Sequence, residues 1–171
     1  MILCDRTLLH RLSQFIQEPD YSLVNPASVD IRVGDTVLVE AGDRQFMTRY
    51  LTEDRDQAFV LTPGMFVLVS MMEHLIVPNG YAIEVRLKSS RAREGYEHTL
   101  ACWFDPGWSG VGTMEIRNCT RFSHLPLYKG LRIAQIVVHK LDGESLHPYQ
   151  GQYNHANTVQ LSYHPNPFPL T

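Results

Sequence analysis

The densest group of chemically useful side chains lies at residues 88–93, which read Lys-Ser-Ser-Arg-Ala-Arg. Each arginine presents a planar fork of donors that fits phosphate oxygens, and the lysine adds a compact positive charge. If Ser89 or Ser90 caps a short helical turn, free backbone N–H groups there would strengthen an anion site. A solvated, basic helix start produces the same pattern, and composition alone favours that second interpretation.

Two candidate catalytic carboxylates, Asp105 and Glu115, lie beyond this basic segment. On a strand, Glu115 would share one polar face with Thr113 and Arg117. A lone acidic side chain there is usually solvated or paired, but the preceding turn and the upstream cations add weight to a chemical role. Asp105 precedes a Pro-Gly turn, where an aspartate commonly bonds to the turn backbone. It could equally hold a water molecule or a sugar hydroxyl.

The eight histidines form no recognisable metal-binding pattern. The sequence contains no HExxH, no CxxC pair, no HxE followed by PCxxC and no GxxxxGK[ST] phosphate loop. We expect His98 and His139 to be packing or interface residues. Any hydrolytic chemistry is therefore expected to proceed without zinc.

Composition places the chain among globular cytoplasmic proteins. Its 171 residues, 44% hydrophobic and 19% charged, predict one domain spanning residues 1–171. A formal net charge of -3 argues against general nucleic-acid binding. Three cysteines without paired spacing favour a reducing compartment. Neither a signal core nor a membrane-spanning run is present, so we expect no membrane association.

One amphipathic helix is predicted near the start of the chain, capped by Asp5 and ending at about Gln17. Four apolar side chains recur at helical spacing and would share a buried face: Leu8, Leu12, Phe15 and Ile16.

After this helix, short apolar runs alternate with Gly- and Pro-containing turns, a pattern typical of many short strands. The predicted strands are Thr36–Glu40, Met65–Ser70, Tyr81–Leu87, Gly112–Asn118 and Leu131–Lys140. Few helices and many strands indicate an all-β sandwich, jelly roll or small barrel. The tail, residues 149–171, is predicted to form an extended arm.

The joint spacing of three segments resembles the dCTP deaminases of the trimeric dUTPase-like superfamily. These segments are residues 88–93 with Ala101, residues 104–110 (Phe-Asp-Pro-Gly-Trp-Ser-Gly) and residues 114–118 (Met-Glu-Ile-Arg-Asn). Further matches are Cys4-Asp5-Arg6, residues 25–32 and residues 130–135. The likeness runs to about Tyr153; any one segment alone would be weak.

The resemblance implies a distorted all-β jelly roll or barrel of the dUTPase-like type, assembled as a homotrimer with active sites at subunit boundaries. It also implies zinc-independent deamination of a cytosine nucleotide whose triphosphate is bound with Mg²⁺. Glu115 matches the catalytic glutamate, and Ser89 and the carbonyl of Ala101 match groups that hold the attacking water.

Nucleotide contacts are also implied. The residues expected to contact the phosphates or the sugar are Lys88, Ser89, Ser90, Arg93, Asp105 and Tyr149. The arm departs from the family pattern, because Gln152-Tyr153 stands where relatives carry a Lys-Tyr pair, and this leaves a mono- or diphosphate substrate as an alternative to the triphosphate. Trp103 lies where relatives vary, and we expect it to alter base or sugar contacts.

We therefore expect deamination of dCTP to dUTP and ammonia, with dTTP as a candidate feedback inhibitor. The nearest alternative is a bifunctional enzyme that also cleaves dUTP to dUMP, with Asp105 helping the water. The arm's missing cation favours the monofunctional reading. A dUTPase without deaminase activity would leave Glu115 idle, and a silent trimeric regulator would not need Ser89, Arg93 and Glu115 together.

Overall fold

The computed structural model describes residues 1–42, 45–99 and 103–162. Its helices are α1 (Asp5–Arg11) and α2 (Ser89–Glu94), with single 3₁₀ turns at Leu12–Gln14, Tyr21–Leu23 and Arg55–Gln57. The strands are β1 (Val24–Asn25), β2 (Ser28–Glu40), β3 (Phe46–Tyr50), β4 (Phe59–Leu61), β5 (Phe66–Ile76), β6 (Tyr81–Leu87), β7 (Tyr96–His98), β8 (Trp103–Phe104), β9 (Ser109–Asn118), β10 (Leu125–Leu127) and β11 (Arg132–Lys140).

The long strand β2 organises the main sheet, whose order is β7-β9-β5-β2-β11-β6-β8. The first part of β2 pairs with β1 and β11, and the part from Val33 onward pairs with β3 and β5. Changing partners along one strand makes the sheet curl around the core. A separate two-stranded sheet joins β4 and β10. The prediction of an all-β fold with a short N-terminal helix is confirmed.

The change of partners occurs where Gly34 touches β5. A Cβ added to Gly34 would lie 2.4 Å from Ser70 Oγ and 2.7 Å from the backbone oxygen of Met71. The Ser70 hydroxyl bonds to the backbone of Thr36 in both directions, at 3.2 Å each. The close approach of the two backbones therefore requires glycine at this position.

The N-terminal helix is shorter than predicted. The α-helix ends at Arg11 and Cys4 occupies its cap position, so Asp5 does not cap it. The prediction to Gln17 was wrong because the edge of β5 captures the following backbone: Ile76 N–H donates to Phe15 O at 2.8 Å, and Gln17 N–H donates to His74 O at 3.0 Å. The four apolar side chains are nevertheless buried, as expected.

The predicted strand at Thr36–Glu40 covers less than half of β2. Residues 28–33 are mostly buried although they include Asp30 and Arg32, so apolar and polar residues do not alternate between core and solvent. None of the helices among the described residues is long and apolar enough to cross a membrane.

Candidate active site

A cavity of about 700 Å³ lies between β9, the β8–β9 turn and the carboxyl-terminal arm. Many of its lining side chains are aromatic, and the two predicted site carboxylates, Asp105 and Glu115, both line it. Tyr149 from the arm and Thr113 from β9 also line the cavity. A concave, mainly apolar site with a few polar groups is the usual form of a small-molecule site.

Strand β9 presents Glu115 to this cavity by simple alternation. Met114 and Ile116 are fully buried in the core, whereas Thr113 and Glu115 lie on the cavity face. The predicted division of this strand into an apolar and a polar face is therefore correct. The backbone oxygen of Glu115 accepts a hydrogen bond from the Thr99 N–H at 3.2 Å, which links the strand to the chain leaving β7.

Asp105 opens the turn between β8 and β9. The turn is closed by its backbone, because the N–H of Trp108 donates to the main-chain oxygen of Asp105 at 3.1 Å. The carboxylate instead accepts from the indole N–H of Trp103, at 3.1 Å. Gly107 has φ +88°, and a Cβ there would lie 2.7 Å from Pro148 Cβ, so the arm packs closely on this turn.

The arm lies along β9 as far as Ser162. The N–H of Val111 donates to Ala156 O at 2.7 Å, and the N–H of Gln160 donates to the Thr113 hydroxyl at 2.9 Å. At the start of the arm, the N–H of Tyr149 donates to Pro106 O at 2.7 Å. These bonds hold the arm against the cavity wall. The remaining predicted arm residues, 163–171, lie outside the described residues.

The basic segment forms α2, but away from this cavity. Lys88 occupies the N-cap position without a side-chain cap bond, so neither serine caps the helix, and Gly95 ends it at φ +104°. Ser89, Ser90 and Arg93 are exposed to solvent. None of the described lining residues comes from 88–93. Within one chain, residues 88–93 thus contribute nothing to the described wall of the cavity that Asp105, Glu115 and Tyr149 line.

Lys88 has a buried partner. Its ammonium bonds to the carboxylate of Asp30, which is 3% exposed and also accepts from Asn25 Nδ2 at 2.8 Å. This ion pair anchors the start of α2 to β2. A phosphate contact by Lys88 stays a prediction.

Sequence reasoning missed a second buried ion pair beside β2. Glu73 is 5% exposed and receives the Arg32 guanidinium at 2.7 Å and the Arg32 backbone N–H at 2.8 Å. Burial raises the pKa of the Glu73 carboxyl, while the bonds from Arg32 lower it to a smaller extent. The apolar run around Glu73 gave no sign of its partner, which is 41 residues away along the chain.

Three further residues were singled out from the sequence: Ala101, His98 and His139. Ala101, whose carbonyl was expected to hold a water, lies outside the described residues. His98 is buried, as expected of a packing residue, and its Nδ1 lies 2.6 Å from Thr99 O. His139 is half-buried beside Trp103. The aromatic cavity walls, including Trp108 and Tyr153, were not predicted from sequence.

Metal binding by the protein alone finds no support in the part of the chain that the structure describes. Within it, no group of three or more His, Cys, Asp or Glu side chains could hold a metal ion. Zinc-independent chemistry stays a prediction, and Mg²⁺ is treated below as a companion of the nucleotide.

The chain is similar to several known proteins. Residues 2–141 match the model of a family described as dCTP deaminase-like. A protein of Nocardioides sp. named dCTP deaminase, dUMP-forming is 33% identical over 181 residues, covering 98% of this chain and 94% of that protein. A protein of the same name from Sulfurihydrogenibium sp. is 31% identical over 165 residues, covering 90% of this chain and 91% of that protein.

Among solved structures, the 2'-deoxycytidine 5'-triphosphate deaminase of Agrobacterium tumefaciens has a similar fold, with a TM-score of 0.67 at 22% identity. The match covers 81% of this chain and 47% of that one, so the chain spans about half the length of that structure. From the family match over residues 2–141 and the relatives aligned along nearly their whole length, the chain belongs to the dCTP deaminase-like family.

Proposed function

We propose that this protein deaminates dCTP and hydrolyses the resulting dUTP, so that dUMP is the product. The observation that carries the proposal is the presence of two carboxylates, Glu115 and Asp105, on separate elements of one cavity. The names of the similar proteins, dCTP deaminase, dUMP-forming, favour this bifunctional reading over release of dUTP. The arm lacks the lysine that relatives carry, which favours release of dUTP, but the names of these similar proteins argue more strongly for dUMP as the product.

In the first reaction, water adds to C4 of cytosine and the amino group leaves as ammonia. Glu115 takes the proton from the attacking water and passes a proton to the departing nitrogen, so one carboxylate serves as base and then as acid. Its place on the rigid strand β9, between two fully buried neighbours, supports this role. Ser89 and the Ala101 carbonyl are proposed to hold the water.

In the second reaction, water attacks the α-phosphorus of dUTP and pyrophosphate leaves. Asp105 accepts the proton of this water. A different carboxylate suits this step because the α-phosphorus and C4 lie several ångströms apart on one nucleotide. Mg²⁺ bound to the triphosphate of the substrate would offset its negative charge, and the protein's own groups orient the water and the phosphates.

The site is proposed to be shared between copies in a homotrimer. Ser89, Ser90 and Arg93 are exposed on α2 and outside their own chain's cavity, so a neighbouring copy is needed to bring them to the phosphates. Tyr149 lines the cavity, which supports its proposed contact with the nucleotide from the arm. dTTP, which shares the triphosphate and deoxyribose, is proposed as a competing ligand of the same site.

One assay tests the two reactions together. The protein is incubated with dCTP and Mg²⁺, and dCTP, dUTP and dUMP are separated by chromatography. We expect dUMP from the parent and accumulated dUTP from Asp105→Asn, which removes the carboxylate's basicity but keeps its size. Release of dUTP by the parent would contradict the second reaction. No conversion of dCTP at all would favour a silent nucleotide-binding regulator.

The same assay is repeated in the presence of a zinc-selective chelator. Activity is expected to survive it and to fall when Mg²⁺ is withdrawn, because the triphosphate loses its counter-charge. Stoichiometric zinc in purified active protein would contradict the proposed chemistry.

A further inference from the structure

Trp103 lies at the mouth of the cavity in an unusual environment for a large aromatic side chain. It belongs to β8, at one end of the main sheet, and lines the cavity while remaining 51% exposed. At the edge of a ligand cavity, such a side chain offers both an aromatic face and a polar N–H donor, and the N–H can hold an acceptor in place.

The indole ring is held in place from the side of the sheet. Its centroid lies 5.6 Å from that of the His139 ring, at an interplanar angle of 46°. His139 Nε2 lies 3.2 Å from a carboxylate oxygen of Glu84, the residue directly opposite Trp103 in the β6–β8 pair. Two neighbouring strands thus restrict the orientation of the indole.

The indole N–H is directed at the cavity carboxylate. It donates to Asp105 Oδ1 at 3.1 Å. An indole is only a donor, so this contact is specific for an acceptor such as a carboxylate. Among the described residues, the second oxygen, Oδ2, has no donor. The indole bond therefore fixes the carboxylate plane and leaves one oxygen for a ligand or a water.

We propose that Trp103 is a positioning residue for Asp105 in dUTP hydrolysis, which rests on the function proposed above. The indole N–H holds Oδ1 so that Oδ2 accepts the proton of the attacking water. As the water oxygen bonds to the α-phosphorus, the bond from the α-phosphorus to the bridging oxygen breaks and pyrophosphate leaves. Deamination uses Glu115 on β9 and does not need this contact.

The prediction is a selective loss in one of the two reactions. Trp103→Phe keeps the aromatic ring but removes the N–H, so kcat with dUTP as substrate should fall about tenfold, the effect of losing one hydrogen bond to a charged group. The ratio of dUTP hydrolysis to dCTP deamination should fall by the same factor, because the phenyl ring keeps the aromatic contact with the nucleotide and only hydrolysis uses the indole N–H. Tyr50→Phe, which also removes one polar group from an exposed aromatic residue, is the matched control outside the cavity.

A double-mutant cycle separates positioning from a direct role. In an Asp105→Asn background, Trp103→Phe should change the residual dUTP hydrolysis by less than about twofold, because the indole acts through the carboxylate. A further tenfold loss in that background would overturn the proposal, and so would unchanged hydrolysis in the Trp103→Phe single variant. If the parent makes no dUMP from dUTP, it is the proposed function that fails.

The contact has a readout that does not require activity. The sequence has two tryptophans, giving two indole N–H signals in a ¹H–¹⁵N spectrum, and Trp103→Phe assigns them. Asp105→Ala should move the Trp103 signal towards that of a solvated indole and leave the Trp108 signal in place. A Trp103 signal unchanged by Asp105→Ala would overturn the positioning role whatever the assays give.

Discussion

At the scale of single residues, the chemistry depends on which carboxylate each element presents to the cavity. Glu115 reaches it because β9 alternates between the core and the cavity, whereas Asp105 reaches it because a backbone bond closes the turn and leaves the side chain to Trp103. Two carboxylates with different supports are consistent with the two proposed reactions at different points of one nucleotide.

Replacing Glu115 with Gln should abolish deamination while nucleotide binding survives. The amide keeps the size and the hydrogen-bonding capacity but cannot take a proton, and losing a general acid–base costs about 10²–10⁴-fold. The measurement is the initial rate of ammonia release from dCTP, with nucleotide affinity determined by calorimetry. Glu144→Gln, an exposed position outside the cavity, is the matched control. Turnover within threefold of the parent would remove Glu115 from the mechanism.

The polar face of β9 could be predicted from sequence because strand alternation is a local property. The cavity could not be predicted, because its wall combines β8, β9 and an arm whose contacts with β9 span about 45 residues of chain. The separation of Ser89 and Arg93 from Glu115 was likewise invisible, because spacing along a chain does not give the direction in which α2 faces.

At the scale of elements, β2 carries the fold by pairing with different strands along its length. Its first part escaped prediction because Asp30 and Arg32 look like surface residues in a sequence. Asp30 is buried against Lys88, and the half-buried Arg32 pairs with the buried Glu73; both contacts form only once distant strands meet.

Breaking the ion pair between Arg32 and Glu73 should lower the free energy of unfolding by an amount that depends on pH. Arg32→Gln leaves a buried carboxylate with fewer partners, at a cost of about 3 kcal/mol near neutral pH. Burial raises the pKa of the Glu73 carboxyl above its ordinary value of 4.5. The stability that this carboxyl contributes is therefore fully present below pH 4.5, and it is lost as the pH rises through the folded-state pKa. The deficit of Arg32→Gln should therefore shrink as the pH falls towards 4.5.

Urea unfolding of the parent and of Arg32→Gln at pH 7 and pH 5 measures this difference. The double variant Arg32→Gln/Glu73→Gln is the control, because it removes the buried charge together with its partner and should recover part of the loss. An equal deficit at both pH values would show that the Glu73 charge is not its source.

At the scale of the whole molecule, one chain holds the parts of the proposed site in two places. The cavity has the carboxylates and the aromatic walls, and α2 has the exposed hydroxyls and Arg93. A cyclic arrangement of identical copies would bring α2 of one copy to the cavity of the next and repeat the same site at each boundary. A mass of one 19.6 kDa chain under assay conditions would contradict this arrangement.

Mixing two inactive variants tests whether the site is shared. Glu115→Gln lacks the proposed base and Arg93→Gln lacks the proposed phosphate contact, so each alone should have little activity at low substrate concentration. If Glu115 of one copy works with Arg93 of its neighbour, random trimers of the two variants contain boundaries where both residues are intact. In an equal mixture, these make up about a quarter of all boundaries, because each of the two copies must be the right variant.

The two variants are unfolded together, refolded and assayed with dCTP, and the same variants mixed without unfolding serve as the control for subunit exchange. Recovery of about a quarter of the parent's rate is expected from the statistics of pairing. If both residues instead acted within one chain, no trimer of these variants would contain an intact site, and the refolded mixture would be no more active than its components. Because Arg93 is exposed and does not line the described part of its own chain's cavity, we expect the first outcome.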